Sequence, residues 1–322
     1  MKYTQLGTTD VQVSAISFGC ASIGNLFRET TDADAHAVLD AAWANGIRYF
    51  DTAPHYGRGL SETRLGQFLS TKDRADFVIS TKVGRVLSPG TQLAEADGYI
   101  NPLPNDVRYD YSGDGIEASL ESSLERLQTT RVEIAYVHDI GVFTHGPAND
   151  QHMEAFLGSG YERLVRLKEK GRIGAFGLGV NENEICLEVM KHGPIDVILL
   201  AGRLTLLDRT AEEALVPLCV KTNTSLVLGG VLNSGILATG AIEGATFNYE
   251  PAPAEILEQV KALDTRAQQL GMPLATAALL YAKSHPMSAS VLIGTAKAST
   301  LVRNVAALSE TVPEGFAAAF DL

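Results

Sequence analysis

Four side chains in the first half of the chain, Asp51, Tyr56, Lys82 and His138, are of types that together transfer a proton at an oxygen atom. A phenol titrates near pH ~10 and is a poor base at neutral pH. A nearby ammonium favours the phenolate, and a carboxylate beside it keeps that ammonium charged and in place. A histidine can donate to the same substrate oxygen or relay its proton. Such a set needs no nucleophile and no metal cage. Each residue alone has a plainer reading, Asp51 as a loop cap and Tyr56 as a packed surface ring. The argument for chemistry requires a fold that gathers all four.

The elements that must do so follow from local signals. Asn45-Gly46 stops a helix. The β-rich run Arg48 to Phe50 follows, and Asp51 stands at its tip, with Pro54 stiffening the turn that carries Tyr56 and Gly57. Residues 2–14 read as two β runs about the turn cluster Gly7-Thr8-Thr9-Asp10, an N-terminal hairpin cap. Strands are then expected at 13–18, 48–51, 77–81, 132–137, 173–178, 196–200, 225–228 and 290–293, separated by helical patterns. Thr31-Asp32-Ala33-Asp34 is a helix start. Irregular, polar connections are expected at about 84–113 and 139–158, and loops of that length are usually functional.

Apolar strands alternating with helices predict an α/β fold, a (β/α)8 TIM barrel, here as a single domain over 1–322. The competing doubly wound sheet lacks a GxGxxG after its first strand; Gly174-Ala175-Phe176-Gly177-Leu178-Gly179 has the wrong spacing. In a barrel, residues just after the strands converge on one face, which puts Asp51, Tyr56, Lys82 and His138 around one mouth. His55 is read as facing that mouth and Cys20, after Gly19 at a strand end, as a pocket-lining candidate. Trp43 is assigned to the core, and His145 and His152 to solvent.

With these residues in place, the chain resembles the aldo-keto reductases. The resemblance is carried by Phe18-Gly19, Gly46 to Gly57, Ser61-Glu62, Leu65-Gly66, Ser80-Thr81-Lys82, Val137-His138, Gly177 to Asn181 and Ile293-Gly294-Thr295. It implies a nicotinamide cofactor and hydride transfer, with Tyr56 as acid/base, Lys82 and Asp51 tuning it, and His138 orienting the substrate. It further implies that Asn181 holds the nicotinamide carboxamide and that Gly230, Leu232 and Ser234 lie along the pyrophosphate. Leu204 stands where the family usually stacks an aromatic ring on the nicotinamide, and Ala201 where a glutamine is common. The segment Gly294, Thr295, Lys297 with Asn304 is assigned to the adenosine end. Arginines that would clamp a 2′-phosphate are missing there, so NAD is expected over NADP, with NADP possible through Lys297. Around His55 the chain is similar to a branch of sugar dehydrogenases acting on L-fucose, L-galactose and D-threo-aldoses, and to pyridoxal 4-dehydrogenase. That branch implies oxidation of a cyclic hemiacetal to a lactone.

Bulk properties narrow the alternatives. A net charge of -12 disfavours a broad nucleic-acid surface, and no apolar run is long enough for a membrane span. Three cysteines without metal or redox spacing, and no signal-peptide core, suggest a cytoplasmic protein, a monomer or homodimer, with a small-molecule substrate. No metal site is read. A non-catalytic nicotinamide-sensing subunit is disfavoured by the four intact positions, and a metal-dependent sugar isomerase by the lack of clustered ligands.

Overall fold

The computed structural model describes residues 1–322. Eight parallel strands close into a barrel in the order β3 (Ile16–Gly19), β4 (Tyr49–Asp51), β5 (Val78–Val83), β10 (Val132–His138), β11 (Ile173–Val180), β12 (Val197–Ala201), β13 (Ser225–Gly229) and β16 (Ser288–Ile293). The helices between them cover the outside: α1 (Asp32–Ala44), α2 (Leu60–Leu69), α3 (Gly113–Arg126), α6 (Tyr161–Glu169), α7 (Glu184–His192), α8 (Leu215–Thr222), α11 (Leu274–Ser284) and α12 (Ala298–Ser309). The expected (β/α)8 architecture is therefore the observed one. Helix α1 begins where its sequence directs, with the Thr31 hydroxyl accepting from the Asp34 amide at 3.1 Å. Its end is set by Asn45 and by Gly46 at φ +81°.

The hairpin β1 (Tyr3–Gln5) and β2 (Gln12–Ser14) plugs the end of the barrel opposite the site. Leu6, Val11 and Val13 pack there beneath Tyr49, Ile134, Val197 and Val227. The single strand expected over 13–18 is divided. Val13 and Ser14 pair in the hairpin, whereas Ile16 to Phe18 pair with β16. Around the break the Ser14 hydroxyl donates to the Ile16 carbonyl and the Ala15 amide to Lys2, so the ladder changes partner at Ala15.

The connection at 84–113 is ordered rather than irregular. Strands β6 (Arg85–Pro89) and β9 (Asn105–Tyr109) form one antiparallel ribbon, and β7 (Glu95–Ala96) and β8 (Tyr99–Ile100) form a smaller one at its tip. The tip turns through Asp97 and Gly98, both at positive φ, the turn that Asp-Gly prefers between paired strands. The second connection contains short helices α4 (Val142–His145) and α5 (Asn149–Ala155). After β13 the chain passes through α9 (Ile236–Thr239) and a third ribbon, β14 (Thr246–Phe247) with β15 (Glu250–Pro251), before α10 (Ala254–Gln269). No helix is long and apolar enough to cross a membrane.

Candidate active site

Asp51 and Lys82 sit on adjacent strands β4 and β5 and meet just below the mouth. The Lys82 ammonium donates to Asp51 Oδ2 at 2.7 Å and to the Thr52 carbonyl at 2.9 Å. The Ser80 hydroxyl donates to Asp51 Oδ1 at 2.6 Å. Both charged side chains are buried, at 1% and 2% exposure, so their charges persist only because each is paired and hydrogen-bonded. Helix α2 braces this pair through the Ser61-Glu62 dipeptide. The Ser61 hydroxyl donates to the Cys20 carbonyl and takes a hydrogen bond from Thr52, both at 2.8 Å. Glu62, fully buried, accepts from the Thr81 hydroxyl and from Arg126.

Tyr56 rides on the turn after β4, with Lys82 Nζ 4.6 Å from its ring centre. The turn depends on Gly57, which has φ +63° and lies so close to Gly24 that a Cβ there would fall 2.4 Å from the Gly24 carbonyl oxygen. His138, at the end of β10, presents its ring to those of Tyr56 and His55 at 5.9 and 5.8 Å between centres. The structure thus gathers Asp51, Tyr56, Lys82, His138 and His55 at one mouth.

The electrostatics differ from the phenolate expected above. Burial first, and then the Asp51 and Asp139 carboxylates, push the Tyr56 phenol above its ordinary range, so it rests protonated. The Lys82 ammonium donates to Asp51 and to the Thr52 carbonyl, and no hydrogen bond joins it to the Tyr56 oxygen. Burial, with Arg85 and Lys82 adding to it, holds His138 well below the usual imidazole range. His55 is held at about 2 by burial and by Arg85, Arg58 and Lys82. Both histidines are neutral at physiological pH.

Several residues of the site went unread in the sequence. Asp139 follows His138 at φ +46° and places its carboxylate 3.3 Å from His138 Nε2 and 2.6 Å from the Arg85 guanidinium. Tyr99, on the β7–β8 ribbon, stacks on Tyr56 at 6.1 Å. The Asp97-Gly98 turn signal could have found that ribbon, but no local signal tells where it folds over. His145 and His152, assigned above to solvent, pack on Tyr111 instead. His145 Nε2 lies 2.8 Å from the Tyr111 phenol, which donates to the His138 carbonyl at 2.7 Å. Partial burial holds His145 at about 4, so it braces the strand end as a neutral group.

Tyr56, Lys82, His138 and His55 border a cavity of about 460 Å³ that includes Asn181, Ala201, Asp97, Asp139 and Tyr99. Beside it a groove of about 660 Å³ runs between the segment Gly230 to Gly235 and the end of β16, with Gly294 and Asn304 in its wall. The two share Leu26, Phe27 and Tyr249 in their walls and adjoin there. Asn233 anchors the Gly230 segment, accepting from the Thr205 hydroxyl at 2.6 Å and donating to the Gly202 carbonyl at 3.2 Å. The groove wall holds no Asp or Glu in a chain of net charge -12, so no carboxylate there repels a pyrophosphate, and Gly230, Gly235 and Gly294 leave its backbone open to one. The residues present therefore fit a dinucleotide. Of those assigned to it, Asn181, Gly230, Leu232, Ser234, Gly294 and Asn304 line this space. Thr295 and Lys297 stand outside the lining, Lys297 exposed at the start of α12. Leu204 is 1% exposed and packed in the core, so it presents no face to the groove. Cys20 is fully buried behind Asp51 and is not brought to the cavity; its sulfhydryl faces the Phe18 carbonyl.

Comparison with known proteins agrees with this geometry. The chain is 39% identical over 323 residues to the pyridoxal 4-dehydrogenase of Microbacterium luteolum, covering 97% of this chain and 94% of that protein. It is 34% identical to the D-threo-aldose 1-dehydrogenase of a Pseudomonas species, covering 94% and 92%. Among solved structures, an aldo-keto reductase from Bacillus halodurans in its holo form superposes with a TM-score of 0.79 at 27% identity, covering 100% of this chain and 95% of that one. The model of the aldo/keto reductase family matches residues 15–321. The chain belongs to that family and is an NAD(P)-dependent oxidoreductase.

Proposed function

We propose that this oxidoreductase oxidises a cyclic hemiacetal to its lactone, with Tyr56 exchanging the proton, Lys82 and Asp51 tuning it, and His138 orienting the reacting oxygen. The observation that carries this reading is the meeting of a protonated, half-buried phenol with a paired ammonium and a neutral imidazole at one cavity. In the oxidative direction the Tyr56 phenol first releases its own proton to solvent, and the phenolate then takes the proton of the hemiacetal hydroxyl as the carbon loses a hydride. A bound oxidised nicotinamide would supply the acceptor for that hydride, and the positive charge of its ring would favour the phenolate. Asn181 would hold the carboxamide, and the Gly230 to Ser234 segment the pyrophosphate. NAD is preferred, because Lys297 is the one cation within residues 294–300 and it is exposed and not part of the groove lining.

Two hemiacetal classes are supported by different observations. Asp97, Asp139 and His55 supply polar partners for the hydroxyls of an aldose such as L-fucose or L-galactose. Tyr99 and Phe143 supply flat walls for a heteroaromatic ring of the pyridoxal type, and the relative with 39% identity bears that name. Initial rates of reduced-nicotinamide formation with L-fucose, L-galactose, D-arabinose and pyridoxal, each with NAD, decide between them. Lactone formation from any of the four supports the proposal. Turnover of only apolar, open-chain carbonyls would sink it.

A further inference from the structure

One carboxylate at the mouth has a fixed position and an unused oxygen. Asp139 follows the end of β10 with its backbone at φ +46°, a left-handed turn held by its amide donating to the Gly179 carbonyl at 2.9 Å. Its Oδ2 accepts from the buried Arg85 guanidinium at 2.6 Å. Arg85 belongs to ribbon strand β6, so barrel and ribbon together fix the carboxylate. Asp139 Oδ1 has no protein partner and is not shut off from solvent, and the residue lines the catalytic cavity. Asp97, the other carboxylate of that cavity, stands exposed at the ribbon tip, 3.6 Å from Arg58. The Asp139 carboxylate is also the one beside His138. Its Oδ2 is 3.3 Å from His138 Nε2, whereas His138 Nδ1 is buried without a partner. A ring lone pair facing a carboxylate is repelled, so the neutral imidazole carries its proton on Nε2. His138 thus offers a donor and Asp139 an acceptor, side by side in one cavity wall. Such a pair matches two neighbouring substrate oxygens, the first accepting a hydrogen bond and the second donating one.

We infer that Asp139 accepts a hydrogen bond from a substrate hydroxyl flanking the reacting carbon while His138 holds the reacting oxygen, so that Asp139 selects hemiacetals bearing that hydroxyl. In an aldose the flanking group is the 2-hydroxyl, and on a pyridoxal-type ring it is the 3-hydroxyl. Arg85 acts as a positioning residue. A carboxylate already fixed by it loses little side-chain freedom when the hydroxyl arrives, and an analogue lacking the hydroxyl leaves Oδ1 desolvated and unpaired. The inference rests on the hemiacetal reading of this site.

The test compares substrates that differ by that one hydroxyl. With NAD, kcat/KM is measured for L-fucose against 2-deoxy-L-fucose and for pyridoxal against 3-deoxypyridoxal, in the parent, in Asp139→Asn and in Asp139→Asn/Arg85→Met. In the pair it turns over, the parent should favour the hydroxylated member by about 10- to 100-fold, the size of one hydrogen bond to a charged group. In both variants the preference should fall to about threefold or less, with the loss on the hydroxylated member. Intrinsic reactivity is the same in every enzyme, and the folded fraction is the same for both substrates, so neither enters the change in preference. The double variant leaves no buried cation unpaired and reports even where Asp139→Asn folds poorly. A preference within about twofold of the parent's in the variants would overturn the inference, because an equal fall on both members assigns Asp139 to the support of His138 alone. So would a parent indifferent to the hydroxyl. If the parent oxidised none of the four compounds, the hemiacetal reading would be at fault, and the inference would fall with it.

Discussion

The Asp51–Lys82 pair separates stability from chemistry. Replacing Lys82 by Met removes the ammonium but keeps an unbranched stem of similar reach. Asp51 then remains 1% exposed with only the Ser80 hydroxyl as partner. Breaking a buried pair on one side costs about 3–5 kcal/mol, because a charge is left without compensation. At roughly 2 °C per kcal/mol for a large domain, Tm should fall by about 6–10 °C. The double variant Asp51→Asn/Lys82→Met keeps an acceptor for Ser80 and leaves no charge behind. It should recover most of that loss, since neutral replacement of a whole buried pair is often close to neutral in stability. Activity should not recover, because the phenol beneath the ammonium has lost both tuning charges. Circular dichroism melts and NADH-linked turnover are read on the parent, both single variants and the double. If the double variant melted as low as Lys82→Met, the uncompensated-charge argument would be wrong. If it turned over within tenfold of the parent, Lys82 and Asp51 would not tune the proton transfer.

Tyr56→Phe should lower turnover by roughly two or more orders of magnitude while leaving NADH affinity in place. Because the phenol rests protonated, oxidation by the parent should accelerate from pH ~7 to ~10 as its basic form appears, a limb that pH–rate profiles would show absent in the variant. His55 is held at about 2 against an ordinary value of 6.5. Below 6.5 the unfolded chain takes a proton that the folded chain refuses, so stability is greatest above that pH and falls as pH drops. The slope is about 1.4 kcal/mol per pH unit for this group, and melts between pH 7 and 5 should be flatter in His55→Gln. Lys297→Ala should leave kcat/KM with NAD unchanged, and a parent that favoured NADP would contradict the proposed preference.

What the sequence settled by itself was whatever local physics settles. Apolar runs of strand length between amphipathic segments, the Thr31 cap and the Asn45-Gly46 stop dictate the barrel, and barrel topology then delivers Asp51, Lys82 and His138 to one end. The pairing of Lys82 with Asp51 follows from their places on adjacent strands. Tertiary structure decided the rest. Whether Cys20 and Leu204 face core or cavity depends on how helices and loops close over them, and no spacing rule encodes that. His145 and His152 look like loop residues until the chain folds them onto Tyr111. Burial, too, is a property of the assembled mouth. It raises the Tyr56 phenol despite a nearby ammonium, because desolvation acts on the oxygen itself while the Lys82 charge is directed at Asp51. Tyr99, Phe27 and Tyr249 come from separate segments and meet only at the mouth, so their relation to the site exists in three dimensions alone.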